Sequence, residues 1–227
     1  MTAEIILALD CPDGDTALRL LDRLPELRWV KVGSILFARE GPALVRELGA
    51  RGLRVFLDLK WHDIPNTVAG AVQAAGALGV AMATVHTLGG ERMLREAVRA
   101  AGDGLSLVGV TVLTSHDAES YARAAGREHV VLLNEVVRLA GVAAEAGLHG
   151  VVCSPQEIGP VRRRLGSSGL VVVPGIRRPG DRVEDQRRTA SPREAAEAGA
   201  THLVVGRPIL QAADPAVAYR EILESLG

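Results

Sequence analysis

Short apolar runs rich in β-branched residues recur eight times along the chain, and segments of helical composition separate nearly every neighbouring pair. The runs fall at residues 4–10, 28–33, 53–60, 80–86, 105–113, 149–154, 170–174 and 201–206. Continuous rather than alternating hydrophobicity marks strands buried on both faces, as in a parallel sheet covered by helices. Ala-, Leu-, Glu- and Arg-rich stretches at 16–24, 42–51, 66–78, 91–101, 130–146 and 192–198 predict those helices, with a terminal helix near 215–226. Gly49, Gly52, Gly76, Gly79, Gly147 and Gly199 stand where these helices approach the next strand, as helix C-termini commonly require. Eight β/α units in 227 residues predict a (β/α)8 TIM barrel, a single catalytic domain spanning 1–227. The main rival is a doubly wound open sheet. Its dinucleotide-binding form is disfavoured because no Gly-x-Gly-x-x-Gly follows the first strand. Residues 115–129 form an extra helix or loop after the fifth strand.

Composition removes several classes of function. Formal net charge is -1 with a pI near 6.6, so no basic footprint for nucleic acid is present. Aromatics at 3% leave no stacking platform for single strands. Cys11 and Cys153 are too few for a disulfide framework and lack metal-ligand spacing; two buried thiols in a cytoplasmic protein are expected. The N-terminal segment has no basic stretch before its apolar run, which argues against a signal peptide. Residues 68–85 carry little charge but are mostly Ala and Gly, too weakly apolar for a membrane span.

In a barrel of this type, catalytic groups gather where strands end and βα loops begin. Polar residues fall there repeatedly: Asp10 ends strand one, Lys31 sits near the end of strand two, Asp58 and Lys60 end strand three, His86 ends strand four, Thr114 follows strand five, and Gly206-Arg207 ends strand eight. Lys31 and Lys60 are also the only lysines; the other 24 of the 26 basic residues are arginine. A guanidinium stays charged at any ordinary pH, whereas an ammonium of pKa about 10.4 can be tuned to release a proton. Asp58 and Lys60 are two apart on one strand and point to the same face. An ion pair at the mouth of a low-dielectric core needs partners, and Asp10 and Lys31 on neighbouring strands would supply alternating charge. A lysine held between carboxylates keeps its proton, stabilises negative charge beside it and can deliver the proton to a carbanion. Asp63 lies past the strand end and need not face the same centre. A salt-bridge network that only closes the barrel is the bland alternative.

Pro174-Gly175-Ile176-Arg177 and the polar stretch that runs to Asp185-Gln186-Arg187 follow strand seven. With Gly206-Arg207 they occupy the loops where such barrels often hold phosphate. Glycine lets the backbone approach, and Arg offers a planar fork for phosphate. The long Arg- and Gly-rich loop resembles a closing lid over an anion. Arg177, Gln186, Gly206 and Arg207 are the expected functional residues there, whereas Arg178, Arg182, Arg187 and Arg188 are expected to be solvated charges.

Taken together, these residues resemble the orotidine 5′-phosphate decarboxylase family, bacterial-type and single-function. The stretch Asp58-Leu59-Lys60-Trp61-His62-Asp63-Ile64-Pro65-Asn66-Thr67 fits that family's signature throughout. Flanking pieces fit in order: Leu9-Asp10, Lys31-Val32-Gly33, Leu36-Phe37, Gly41-Pro42, Val85-His86, Thr111-Val112-Leu113-Thr114-Ser115, Pro174-Gly175-Ile176-Arg177, Asp185-Gln186 and Val205-Gly206-Arg207-Pro208. The resemblance implies a homodimer with no metal and no cofactor that converts orotidine 5′-monophosphate to UMP and CO2. It implies that Lys60 protonates C6 of the pyrimidine, that Asp58 sits beside the departing carboxylate, and that Lys31 and Asp10 hold the ribose, Lys31 also holding Asp58. Asp63 and Thr67 would reach into the partner's site. Thr114 would meet the pyrimidine amide edge, and Gln186 would bridge base and phosphate. Arg177, Gly206 and Arg207 would hold the phosphate, with Ile64 and Pro174 also lining the substrate.

Two other functions compete. The Mg²⁺-dependent keto-gulonate-phosphate decarboxylases and hexulose-phosphate synthases share the Asp-x-Lys-x-x-Asp core and act on sugar phosphates through an enediolate. The sequence at 64–67 and the Arg177…Gln186 pair argue against them. A non-catalytic barrel that binds nucleotides or serves as a subunit scaffold predicts instead that Lys60→Ala leaves every assayable property intact.

Overall fold

The computed structural model describes residues 3–178 and 188–227. Eight parallel strands close on themselves in sequence order: β1 Glu4–Ala8, β2 Trp29–Gly33, β3 Arg54–Trp61, β4 Met82–His86, β5 Ser106–Val110, β6 Gly150–Val152, β7 Leu170–Val173 and β8 His202–Val205. Closure is made by β1 on β8, with Glu4 opposite His202 and Leu7 opposite Val205. The helices are α1 Gly14–Leu21, α2 Ser34–Ala50, α3 Pro65–Ala77, α4 Gly90–Ala101, α5 Ala118–Ala124, α6 Leu132–Glu145, α7 Ile158–Leu165, α8 Pro192–Glu197, α9 Arg207–Leu210 and α10 Pro215–Glu224. The barrel expected from the sequence is therefore present, and the open-sheet rival is excluded. None of the described helices is long and apolar enough to cross a membrane.

Two apolar layers hold it. Ile6, Trp29, Phe56, Met82, Val108, Val172 and Val204 point inward and fill the barrel, while the opposite faces of the strands pack beneath the helices through residues such as Leu7, Val30, Leu57, Leu94 and Val136. Burial on both faces is why the strand sequences read as unbroken apolar runs. The N-terminal end of the barrel is closed by Trp29. His202 meets its ring edge-on at 5.3 Å, and the Arg54 guanidinium lies 4.2 Å over it. Burial and the Arg54 charge push the His202 pKa down to about 4.

Helix ends differ from expectation in places. The helix expected from residue 42 begins at Ser34, but Gly41 (φ 60°, ψ -153°) and Pro42 break it, so 42–50 is the second of two segments. Pro42 starts that second segment, where a missing N–H costs nothing. The stretch 115–129 does contain a helix, α5, capped by Asp117. Helix α7 was not expected from the sequence; it carries Gly159, Pro160 and three consecutive arginines, which hide its apolar face. Arg162 on that helix donates to the carbonyls of Gly166, Gly169 and Gly199, tying the helix end to the loops before β7 and β8.

Candidate active site

Alternation along the strands carries each inward row from an apolar floor to a polar rim. Trp29 leads to Lys31 on β2, Phe56 to Asp58 on β3, and Met82 to Thr84 on β4, while Asp10 follows the inward Ala8 of β1. The result is a chain of alternating charge at the C-terminal mouth. Lys31 Nζ lies 3.1 Å from Asp10 Oδ1 and 3.9 Å from Asp58 Oδ2, and Lys60 Nζ lies 2.9 Å from the same Asp58 oxygen. Burial is graded: the Lys31 and Asp58 side chains are 12% and 14% exposed, Lys60 is 40% and Asp10 62%. The inner pair is therefore fixed in place, and the Lys60 ammonium faces the opening.

Simple alternation does not fully describe Lys60. Leu57 pairs with Ala83, but the next β3–β4 partners are Trp61 and Val85, so β3 bulges between them. Lys60 sits in this bulge with φ 53°, the single positive φ outside glycine among the described residues. Such a conformation costs a non-glycine residue on the order of 1–2 kcal/mol, and bulges of this kind re-aim side chains next to active sites. Thr84, fully buried, closes the bulge. Its hydroxyl accepts from the Lys60 N–H at 2.8 Å and donates to Asp58 Oδ1 at 3.1 Å. Thr84 was missed by the sequence analysis; the one signal was a hydroxyl inside the apolar run that leads to His86.

A cavity of about 450 Å³ opens above this row. It brings together Asp10, Lys31, Asp58, Lys60, Thr114, Pro174, Arg177, Gly206 and Arg207 from the expected set, with Phe56, Val110, Val152 and Val204 as its apolar floor. The charged row, two arginines and an apolar floor together suit an anionic ligand with an apolar part. Arg177 is buried, and its backbone N–H donates to the Ala190 carbonyl at 3.0 Å. Gly206 stands just before the short helix α9.

Asp63, Ile64 and Thr67 are exposed on the rim beyond β3 and do not line this cavity. The Asp63 carboxylate accepts from the Ile64 N–H at 2.6 Å. Gln186, Arg182 and Arg187 lie outside the described residues. Arg178 is paired with Glu221 at 3.3 Å on the surface. Arg188 corrects the expectation of a solvated charge: it is 9% exposed and ion-paired with Glu157, which is 3% exposed. A lone Arg in an Arg-rich loop gives no hint of a buried acidic partner 31 residues earlier in the chain. Beside Lys60, His62 and His86 stack with centroids 5.3 Å apart. Burial first, then the His62 and Lys60 charges, lower the His86 pKa to about 4. Cys11 and Cys153 are both free and buried, and burial raises each thiol's pKa.

The model of the "Orotidine 5'-phosphate decarboxylase / HUMPS family" matches residues 3–222, nearly the whole barrel. The chain belongs to this family. A protein of Halorhodospira halophila named orotidine 5′-phosphate decarboxylase is 52% identical over 231 residues, covering 98% of this chain and 95% of that protein. One of the same name from Thermosynechococcus vestitus is 44% identical and covers 100% of this chain and 97% of its own. Among solved structures, orotidine 5′-phosphate decarboxylase from Lactobacillus acidophilus superposes with a TM-score of 0.88 at 35% identity, covering 99% of each chain. Within the family, the strand-end charges and the two arginines described above occupy one continuous cavity of this chain.

Proposed function

We propose that this protein is an orotidine-5′-phosphate decarboxylase, a carboxy-lyase of pyrimidine biosynthesis that converts orotidine 5′-monophosphate to UMP and CO2. The observation that carries the proposal is the row Asp10–Lys31–Asp58–Lys60, with contacts of 3.1, 3.9 and 2.9 Å, in a chain about half identical to proteins of that name. Lys31 lies between the two carboxylates and Asp58 between the two ammonium groups, an arrangement suited to steering charge on an organic anion.

The chemistry then runs on this chain's own groups. The C6–carboxylate bond breaks, CO2 leaves, and the electron pair stays on C6. The Lys60 ammonium stabilises that charge and transfers a proton to it. Asp58 lies beside the departing carboxylate, so its charge bears on the substrate before reaction more than after. Lys31 fixes Asp58 and, with Asp10, meets the ribose hydroxyls. Thr114 meets the pyrimidine amide edge, and Gln186 bridges base and phosphate. Pro174, Arg177, Gly206 and Arg207 form the phosphate end, with α9 as the short helix that barrels often place there. Binding energy from this remote group supports closure and geometry at C6, so a substrate without phosphate loses rate as well as affinity.

A homodimer completes the site, with Asp63, Ile64 and Thr67 acting on the partner's substrate. Their exposed position past β3 supports this, as does the apolar rim around them: Ile35 is 73% exposed, Ile64 67% and Leu88 46%. Adjacent apolar side chains left open at one edge are what a subunit interface covers. The two free thiols accord with a reducing compartment such as the cytoplasm.

Mixing the protein with orotidine 5′-monophosphate and following the fall in orotate absorbance tests the activity. Turnover should proceed equally with and without EDTA. Activity abolished by chelation would favour the Mg²⁺-dependent sugar-phosphate branch, and no absorbance change under either condition would sink the proposal.

A further inference from the structure

The buried Arg188–Glu157 pair is not part of the charged row, yet it ties together three loops that frame the cavity. One terminal nitrogen of Arg188 is paired with the Glu157 carboxylate. The other donates to the carbonyls of Leu113 at 3.3 Å and His116 at 3.5 Å, the two ends of the turn that carries Thr114. That turn is itself closed by the His116 N–H on the Leu113 carbonyl at 3.0 Å. Glu157 uses its second oxygen to accept from the Ser154 N–H at 2.7 Å, at the end of β6. Two residues beyond Arg188, Ala190 exchanges backbone hydrogen bonds with Gly175 and Arg177 at the base of the loop after β7. A single guanidinium thus fixes the Thr114 turn relative to Glu157 and to the Arg177 backbone.

The same cluster contains the buried side-chain atoms without a hydrogen-bond partner among the described residues, Ser154 Oγ and Arg188 Nε. Leaving such atoms unpaired is costly, and exceptions of this kind in native structures ask for a reason other than stability. Salt bridges buried this deeply also contribute little net stability compared with apolar replacements, but they do fix geometry when their hydrogen bonds are made.

We propose that Arg188, held by Glu157, is a positioning residue that sets the Thr114 turn for recognition of the pyrimidine edge. The inference rests on the decarboxylase reading, which assigns the pyrimidine amide edge to Thr114. Arg188 touches no reacting atom and acts through Thr114.

The test is a kinetic cycle. Removing one charge of a buried pair strands the other, so the fold-sparing variant is the double substitution Arg188→Met with Glu157→Gln. Thermal unfolding and circular dichroism verify its fold. Its KM for orotidine 5′-monophosphate should rise about tenfold or more, with kcat within about threefold of wild type, because binding rather than proton transfer is disturbed. Thr114→Ala alone should raise KM comparably. Adding Thr114→Ala to the double variant should raise it by less than about twofold further, since the turn is already misplaced. Restoring Glu157 and placing Lys at 188 should recover part of the lost affinity. Wild-type KM in the double variant, or a full additional Thr114→Ala effect in that background, would overturn the proposal. Failure of the functional reading is separate: it would show as wild-type protein that does not decarboxylate the substrate at all.

Discussion

Lys60 and Lys31 approach the same Asp58 oxygen, at 2.9 and 3.9 Å, but from different surroundings. Lys31 is confined. Its ammonium is held between two carboxylates, 3.1 Å from Asp10 and 3.9 Å from Asp58, with the side chain 12% exposed. Lys60 faces the cavity with two fifths of its side chain open. On the proposed mechanism arginine would not serve at 60, because it keeps charge but cannot release a proton. Lys60→Arg and Lys60→Ala should both fold normally, by circular dichroism, and each should lose turnover by about a thousandfold or more, the scale of a lost general acid. A Lys60→Arg enzyme within tenfold of wild type would refute proton delivery by this side chain. Both lysines were legible in the sequence because the chain otherwise uses arginine. Thr84 was not, since the same residue serves ordinary packing in strands and only the bulge gives its hydroxyl two partners.

Among the elements, β3 does more than carry Asp58 and Lys60. Its bulge breaks register with β4 and turns Lys60 into a conformation that a regular strand would forbid. Thr84→Val keeps the shape of the side chain while removing the acceptor for the Lys60 N–H and the donor to Asp58. A buried N–H left unpaired costs about 1–3 kcal/mol. Urea unfolding should show a loss of that size, accompanied by a fall in kcat of at least about tenfold as the Asp58–Lys60 geometry loosens. Unchanged stability and unchanged kcat in this variant would mean that the bulge holds itself. Strand positions were readable because parallel strands buried on both faces are written in continuous β-branched runs. Helices were less so. The break at Gly41-Pro42 concealed the first part of α2, and the arginines of α7, whose Arg162 caps loop carbonyls, masked its apolar side.

For the whole molecule, the two ends of the barrel differ: the C-terminal end carries the charged row and the cavity, and the N-terminal end is closed by Trp29, Arg54 and His202. His202 titrates at about 4 in the folded chain, against 6.5 ordinarily, so the unfolded chain binds the extra proton first as pH falls. Its contribution is complete above pH 6.5 and is lost on descent from 6.5 to about 4, a linkage on the order of 3 kcal/mol. His202→Gln should flatten the stability–pH curve in that window without altering kcat at pH 7.5. Parallel curves for the two proteins would count against it. The proposed dimer predicts complementation: mixing Lys60→Ala and Asp63→Ala subunits places one intact site in each mixed dimer. Recovery of roughly a quarter of wild-type activity is expected after random subunit exchange. No recovery after verified exchange would place Asp63 outside the partner's site. The barrel was legible from the strand count, whereas pairings such as Arg188–Glu157 arise only once distant loops are brought together.

Because β8 pairs with β1 as β1 does with β2, the barrel has no first strand in space; the sequence merely opens a ring at one place. The turn at Gly79, φ 78°, lies at the end of the barrel away from the charged row, between α3 and β4. A circular permutant that joins the present ends through a flexible linker and begins at Val80 would keep every strand pair and every cavity residue. It should fold and decarboxylate orotidine 5′-monophosphate at near the parental rate, read by the same loss of absorbance. An inactive permutant with an intact far-ultraviolet spectrum would show that the present opening of the ring matters to the site.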